Sequence, residues 1–153
     1  MTMYIIAVIF FVIFDRLFKF LAVNHFFDQP RQIIDHVLFI NFSRNYNIAF
    51  SLPISGWGLN LLIFFITICL LYSLLFLLKK QDYRKVPYLI LIILGAVSNL
   101  ADRMQHGFVI DYLDLKYFTI FNIADIMIVG GVIGLIFKAI KTKKTAGPRL
   151  GPV

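Results

Sequence analysis

The sequence predicts an all-α integral membrane protein with four transmembrane helices, a small extracytoplasmic β-sheet and a second outer loop. The first observation is composition: of 153 residues, 60% are hydrophobic and 15% are charged, with a mean hydropathy of +0.85. Soluble domains are about 45–50% apolar and about 25% charged, and a chain of this size cannot bury so much apolar surface. The second observation is a series of long apolar runs. The single cysteine excludes a disulfide scaffold, and the abundance of Phe, Leu and Ile excludes disorder.

The four expected spans cover residues 3–23, 54–78, 86–103 and 119–140. The stretch 54–78 contains no charged residue, and about 20 apolar residues suffice to cross the hydrocarbon core. The first run spans a bilayer only if it continues through Asp15, Arg16 and Lys19. A cleaved signal peptide is not expected there, because no basic residue precedes the run and no small-residue cleavage site follows it.

The distribution of basic residues predicts that both termini are cytoplasmic. The linker 79–85 reads KKQDYRK, and the chain after the last span is again rich in lysine, whereas the segments 24–53 and 104–116 contain few basic residues. Cytoplasmic loops collect Lys and Arg, so those two segments are expected outside. The net charge of +7 is thereby explained without nucleic-acid binding. Residues 1–141 are expected to form one membrane-embedded domain, and 142–153, which contain Gly and Pro, a disordered cytoplasmic tail.

The outer segments are not plain linkers. Residues 33–42 are dense in Ile, Val, Leu and Phe, which favours short strands over a helix. We therefore predict a small sheet that lies at the membrane surface. The second outer segment, 105–119, has a similarly mixed pattern and forms the second loop.

Two acidic residues within the expected spans, Asp102 and Asp125, match in depth. At a rise of about 1.5 Å per residue, each lies roughly 6 Å below the outer boundary of the hydrocarbon core. Their surroundings also match, because NLAD at 99–102 and NIAD at 122–125 each put Asn and Asp on one helix face. Two carboxyl groups in contact share one proton, which is the arrangement for aspartic peptide hydrolysis. The sequence therefore predicts Asp102 and Asp125 as a catalytic pair.

Other polar residues have simpler interpretations. Asp15 and Lys19 are one helical turn apart and are expected to form an ion pair that supports helix packing, with a direct role in catalysis as the alternative. Asn122 by itself fits a helix N-cap, and Arg103 by itself would extend to the membrane interface. The three histidines show no ligand spacing, so neither a metal site nor a cofactor is expected.

Four motifs occur in order from about Phe14 to Phe137. They are DRLFK at 15–19, NYNIAFS at 45–51, NLADR at 99–103 followed by HGFVID at 106–111, and FNIAD at 121–125. In these motifs the chain resembles signal peptidase II, the lipoprotein signal peptidase family of bacteria. Three positions depart from the family pattern: Phe18 replaces Ser or Thr, and Asn47 and Ser98 replace Gly.

The resemblance implies a fold, an activity and a location. The fold is four transmembrane helices with a small outer sheet. The activity is that of an aspartic endopeptidase, which removes signal peptides from diacylglyceryl-modified prolipoproteins just before the lipidated cysteine. The location is the bacterial inner membrane, with the active site near its outer face. The implied partners are lipidated prolipoproteins and membrane lipid, with no nucleic acid and no obligate protein partner.

The resemblance also implies roles for individual residues. Two are implied to be catalytic, Asp102 and Asp125. The residues implied to support the site or to bind substrate are Asn45, Asn99, Arg103, Asn122, Asp15 and Lys19. Within this set, Asn45 would help to bind the substrate backbone or its lipid-bearing region, and Asp15 with Lys19 would be structural.

Two other classes of protein fit part of the pattern. A small ion-coupled transporter also uses intramembrane aspartates, but its pathway would need polar groups through the full membrane thickness. The span 54–78 has almost none. A lipid-binding assembly subunit would not need a pair of carboxyl groups.

Overall fold

The computed structural model describes residues 2–27, 29–47 and 56–145. Within these ranges the chain forms four helices and a small antiparallel sheet, in agreement with the predicted combination of elements. The helices are α1 (Thr2–Val23), α2 (Trp57–Lys79), α3 (Val86–His106) and α4 (Ile123–Thr145). The strands are β1 (Arg31–Ile34), β2 (Leu38–Asn45), β3 (Val109–Leu115) and β4 (Ile120–Phe121).

The sheet has the strand order β1-β2-β3-β4, and each neighbouring pair is antiparallel. The β1–β2 hairpin overlaps the segment 33–42 that the sequence predicts to be extended. The second outer segment does not form a separate loop, because its central part is β3 and pairs along β2. In this register Asn45 lies opposite Val109 and Ser43 lies opposite Asp111.

Three of the helices are long and apolar enough to cross a membrane: Trp57–Lys79, Val86–His106 and Ile123–Lys141. Helix α1 is not one of these three, because its 22 residues include three charged ones: Asp15, Arg16 and Lys19. Among the described residues, length and composition therefore confirm three of the four expected spans, and the fourth stays a prediction.

The last helix differs from the expected span at both ends. It begins at Ile123 instead of 119, because Ile120–Phe121 pair with β3. It continues to Thr145, so residues 142–145 of the expected disordered tail are helical. The rest of that tail, 146–153, lies outside the described residues.

Helix α3 is the central helix and packs against α1, α2 and α4. Gly95 allows α4 to approach closely, since a Cβ at this position would lie only 2.5 Å from the carbonyl oxygen of Ala124. Gly107 ends α3 in the left-handed conformation with φ of 81°, which glycine adopts without steric cost. The chain then turns directly into β3, and this brings β3 beside the end of α3.

Strand β3 joins the sheet to the helices through both of its faces. Ile110 and Tyr112 pack into a buried apolar cluster with Ala22, Phe27 and Ile40. Side chains alternate along a strand, so Asp111, which lies between them, points to the opposite face.

Candidate active site

A buried cluster of charges joins α1 to α3. The Nζ atom of Lys19 lies 2.9 Å from Oδ2 of Asp15 and 2.8 Å from Oδ2 of Asp102. The Nη1 atom of Arg16 lies 2.7 Å from Oδ1 of Asp102. Asp15, Lys19 and Asp102 are all fully buried. The ion pair expected between Asp15 and Lys19 is confirmed. The same lysine also contacts Asp102, for which the sequence predicts a catalytic role.

Asp102 does not have the surroundings expected of a carboxyl group that shares a proton with Asp125. Both of its oxygen atoms contact cations, Arg16 and Lys19, and its Oδ2 also accepts a hydrogen bond from the backbone of Ile110 at 3.4 Å. Both oxygen atoms of Asp102 are thus occupied by contacts with α1 and with the start of β3. Equal depth along two helices did not predict the direction of the side chain, and Asp102 points towards α1.

Asp125 lies in the first turn of α4 and is held by two asparagines. Its Oδ1 accepts a hydrogen bond from Nδ2 of Asn99 at 2.7 Å, and its Oδ2 accepts one from the backbone N–H of Asn122 at 3.3 Å. The backbone N–H of Asp125 donates in turn to Oδ1 of Asn122 at 2.9 Å. This reciprocal pair is a capping box, and it confirms the N-cap interpretation of Asn122.

Asp111 in β3 is a further carboxyl group at this site, and no role was predicted for it from the sequence. Nδ2 of Asn122 donates to its Oδ1 at 2.7 Å, and Nδ2 of Asn45 donates to its Oδ2 at 2.9 Å. Asn122 therefore contacts both Asp111 and Asp125. Burial, and secondly the negative charge of Asp125, raise the pKa of Asp111 to about 7, although the hydrogen bonds from Asn45 and Asn122 act in the opposite direction.

The sequence did contain a signal for Asp111. It is the last residue of the motif HGFVID at 106–111, and it is an acidic residue in an otherwise apolar strand. Depth within the expected spans gives no information on Asp111, because Asp111 lies between two of them.

A cavity of about 230 Å³ opens beside these groups, between α2, α3 and α4. Its polar end contains Asn45, Asn99, Arg103 and Asp125. The apolar part is lined by branched side chains: Ile63, Ile66, Leu70, Ile92 and Ile128. The cavity thus suits a molecule that has one polar region and one hydrocarbon region.

Arg103 lines the cavity and connects it to the loop after β2. Its Nη2 donates to the backbone carbonyl of Asn47 at 2.8 Å, and the backbone N–H of Asn47 donates to Oδ1 of Asn45 at 3.0 Å. The Nε atom of Arg103 is buried and has no hydrogen-bond partner among the described residues. The rest of the motif, 48–51, lies outside the described residues.

Lys19 connects the charge cluster to the cavity through Asn99. The Nζ atom of Lys19 donates to Oδ1 of Asn99 at 3.0 Å, and Nδ2 of Asn122 donates to the same oxygen at 3.2 Å. With its oxygen engaged in this way, Asn99 directs its NH2 group towards Asp125. Lys19 is therefore in a position to orient a cavity residue without lining the cavity.

Two residues that depart from the family pattern, Ser98 and Phe18, make structural contacts. The Ser98 hydroxyl donates to Oδ2 of Asp15 at 2.6 Å, so it satisfies a buried carboxylate. The Phe18 ring stacks on Tyr112 with 5.3 Å between ring centroids. The Tyr112 hydroxyl in turn donates to Oδ1 of Asp15 at 3.1 Å.

The chain is similar to known proteins both in sequence and in structure. The sequence profile of the family described as "Signal peptidase (SPase) II" matches residues 6–141. The lipoprotein signal peptidase of Buchnera aphidicola subsp. Schizaphis graminum is 36% identical over 142 residues, which cover 87% of this chain and 91% of that protein. The lipoprotein signal peptidase of Bartonella henselae is 41% identical over 116 residues, with 67% and 69% covered. A bacterial membrane enzyme solved by the in meso method at 2.3 Å resolution matches 100% of this chain and 95% of its own, with a TM-score of 0.79 and 30% identity.

Proposed function

The chain belongs to the signal peptidase II family, and we propose that it removes signal peptides from prolipoproteins by aspartic hydrolysis. It is a bacterial inner-membrane protein and a hydrolase of the protease type. The matched family and relatives are signal peptidases, and they give no support to the alternative of an ion-coupled transporter.

The proposed catalytic pair is Asp111 and Asp125, in place of Asp102 and Asp125. The observation that carries this assignment is that Asn122 donates to one oxygen of Asp111 and to one oxygen of Asp125, and Asp125 lines the cavity. The raised pKa of Asp111 supports it, because burial and the neighbouring charge favour one proton on the pair at neutral pH. Asp102 remains in the proposal as a structural residue, which neutralises Arg16 and Lys19.

The reaction assigns a different task to each member of the pair. Asp125, ionised, removes a proton from a water molecule, and the water oxygen attacks the scissile carbonyl carbon. Asp111, protonated, donates its proton to the carbonyl oxygen as the tetrahedral intermediate forms. Collapse of the intermediate breaks the C–N bond: the leaving nitrogen receives the proton that Asp125 had taken, and one hydroxyl group of the intermediate returns a proton to Asp111 as the carboxylic acid forms. Asn45, Asn99 and Asn122 keep the two carboxyl groups in these orientations.

The substrate is proposed to be a prolipoprotein that carries diacylglycerol on the cysteine after the cleavage site. The branched side chains of the cavity can contact acyl chains, while Asn45, Asn99 and Arg103 provide polar contacts for the peptide. Each buried methylene contributes about 0.8 kcal/mol, so two acyl chains hold the scissile bond close to the membrane interface.

Cleavage is expected to require the lipid. A precursor peptide with diacylglycerol on its cysteine should be cleaved at least about tenfold faster than the same peptide without it, since lipid anchoring raises its concentration at the cavity. The measurement is product formation from both peptides in the same mixed micelles. Equal rates would contradict the proposed lipidated substrate. They would not bear on the catalytic pair, which is tested separately by substitution of its two aspartates.

The activity is expected to depend on pH through Asp111. Its pKa is raised to about 7, so kcat/KM should fall as the pH increases through about 7 and the pair loses its remaining proton. The Asn45→Ala variant lacks a hydrogen bond that favours the ionised form of Asp111. The alkaline limb of its profile should therefore move to higher pH, by roughly 0.5–1 on the pH scale.

The matched control for this measurement is Asn41→Ala. Asn41 lies on the same strand, and its Nδ2 donates to Oδ2 of Asp114 at 3.2 Å, which is the same kind of contact to a different carboxylate of β3. Its profile should match that of the unmodified protein. A limb that moves equally in both variants, or towards lower pH in Asn45→Ala, is incompatible with Asp111 as the proton donor.

The proposed topology places four spans in the inner membrane, with both termini in the cytoplasm. Helix α1 qualifies as the fourth span because its charged residues Asp15 and Lys19 are buried and paired instead of facing lipid. A reporter fused after Lys80 is expected in the cytoplasm, and one inserted near Gln29 is expected outside. Labelling in intact cells measures this directly, and the opposite pattern would invert the proposed topology and put the catalytic pair near the cytoplasm.

A further inference from the structure

A second cavity lies at the end of the helical bundle opposite the sheet. It has a volume of about 420 Å³ and runs between α2, α3 and α4. Its walls are mainly apolar, with Phe76 and Leu77 from α2, Leu89 from α3 and Leu135 from α4. No residue of the proposed catalytic pair lines it. The cavity exists because α2 packs loosely: of its described residues, only Leu59 and Thr67 are buried, and neither is in this half of the helix.

Two cations lie at or next to the wall of this cavity. Lys85 is itself a lining residue. The Nζ atom of Lys80 lies 4.4 Å from the centroid of the Phe76 ring, so a cation–π contact holds the ammonium group over one wall. The acidic residue of the linker, Asp82, accepts a hydrogen bond from Nε of Arg84 at 3.1 Å. The charge of Arg84 thus offsets that of Asp82, and the lysines of the linker leave it with a net positive charge.

We propose that this cavity binds an anionic phospholipid, with the phosphate between Lys80 and Lys85 and an acyl chain along the apolar walls. The charge of these lysines and the hydrocarbon lining together match the two regions of such a lipid. Positive charge beside a membrane attracts anionic headgroups, and the proposed topology makes this the cytoplasmic leaflet. The lipid fills a gap between α2 and α4 that the side chains leave open.

The signal peptide of the precursor is the other molecule that could lie between these helices. Signal peptides begin with a positively charged segment. At this end of the bundle that segment would meet Lys80 and Lys85, and like charges repel. The charges of these lysines therefore favour the anionic lipid over the peptide.

The test is a binding titration with the purified full-length protein in a neutral detergent. The probes are phosphatidylglycerol, phosphatidylcholine with the same acyl chains, and glycerol 3-phosphate, followed by native mass spectrometry. Phosphatidylglycerol should bind at least about tenfold more tightly than phosphatidylcholine, and the preference should weaken as salt is added. Glycerol 3-phosphate should not compete, since it lacks the acyl chains that occupy the cavity.

Substitutions locate the binding. The double variant Lys80→Gln/Lys85→Gln should lose the preference for phosphatidylglycerol, whereas Lys116→Gln should retain it. Lys116 is a suitable control because its Nζ also lies over an aromatic ring, that of Tyr117 at 5.4 Å, but at the sheet end. Ala139→Phe, which adds apolar volume to a lining residue and removes no charge, should weaken binding of both phospholipids.

Two outcomes would overturn the proposal. One is equal affinity for the two phospholipids, or a preference that persists in the double variant. The other is displacement of phosphatidylglycerol by a synthetic signal peptide, which would assign the cavity to the precursor. Precursor cleavage is measured separately in the same samples, so a failure of lipid binding is distinguished from a failure of the proposed catalytic function.

Discussion

Replacement of Asp111 or Asp125 by Asn is expected to lower the rate of precursor cleavage by about 10³-fold or more while the protein remains folded. An amide has almost the same shape as a carboxyl group but can neither give up nor receive the proton that the reaction moves. The measurement is single-turnover cleavage of a lipidated precursor peptide in micelles. Thermal unfolding of each variant shows that the bundle is retained.

Two further substitutions make this experiment discriminating. Asp114→Asn changes another carboxylate of β3, one that accepts a hydrogen bond from Asn41, and it should retain normal activity. Asp102→Asn should mainly destabilise the protein, because it removes a buried negative charge from beside Arg16 and Lys19. A folded, fully stable and inactive Asp102→Asn together with an active Asp111→Asn would return the assignment to Asp102 and Asp125.

Lys19→Met is expected to give the largest loss of stability. Lys19 is fully buried and lies 2.9 Å from Asp15 and 2.8 Å from Asp102. Removal of one partner from a buried ionic cluster leaves uncompensated charge and costs about 3–5 kcal/mol. For a chain of this length that corresponds to a fall in Tm of roughly 10 °C. The measurement is thermal unfolding in detergent, followed by circular dichroism.

The control for this substitution is Lys116→Met. Lys116 lies in the turn between β3 and β4, where its side chain is exposed, so its loss should change the stability by no more than about 0.5 kcal/mol. An equal Tm for Lys19→Met and the unmodified protein would mean that the buried cluster contributes specificity of packing instead of stability.

The positions of the apolar helices along the chain and of the β1–β2 hairpin could be predicted from the sequence because each depends on local patterns. Residues 54–78 carry no charge, and residues 33–42 are rich in branched and aromatic side chains. The pairing of β3 with β2 could not be predicted in the same way, since these strands are separated in sequence by two helices. Their association depends on the packing of Ile110 and Tyr112 against α1.

The candidate site was predictable only in part for a related reason. Asn99, Asn122 and Asp125 were identified from a repeated pattern along two helices, and all three meet in the structure. The same pattern also indicated Asp102. Helical periodicity shows which residues share one face of a helix, but it does not show which neighbouring helix packs against that face. Helix α1 carries Arg16 and Lys19, and their positive charges face Asp102. The proposed pair includes Asp111 instead, which lies on a strand whose position the helical pattern does not specify.

The hydrogen bonds of Asn122 mean that the site is preorganised. Its side-chain oxygen completes the first turn of α4, and its amide nitrogen holds Asp111 and Asn99. These side chains are therefore already fixed once the helix has folded. Substrate binding does not have to order them, so it loses no conformational entropy in doing so. Fraying of a single helical turn would release both carboxyl groups at once. Heating should therefore inactivate the enzyme at a lower temperature than the one at which the bundle unfolds, since a helix terminus opens more easily than a core.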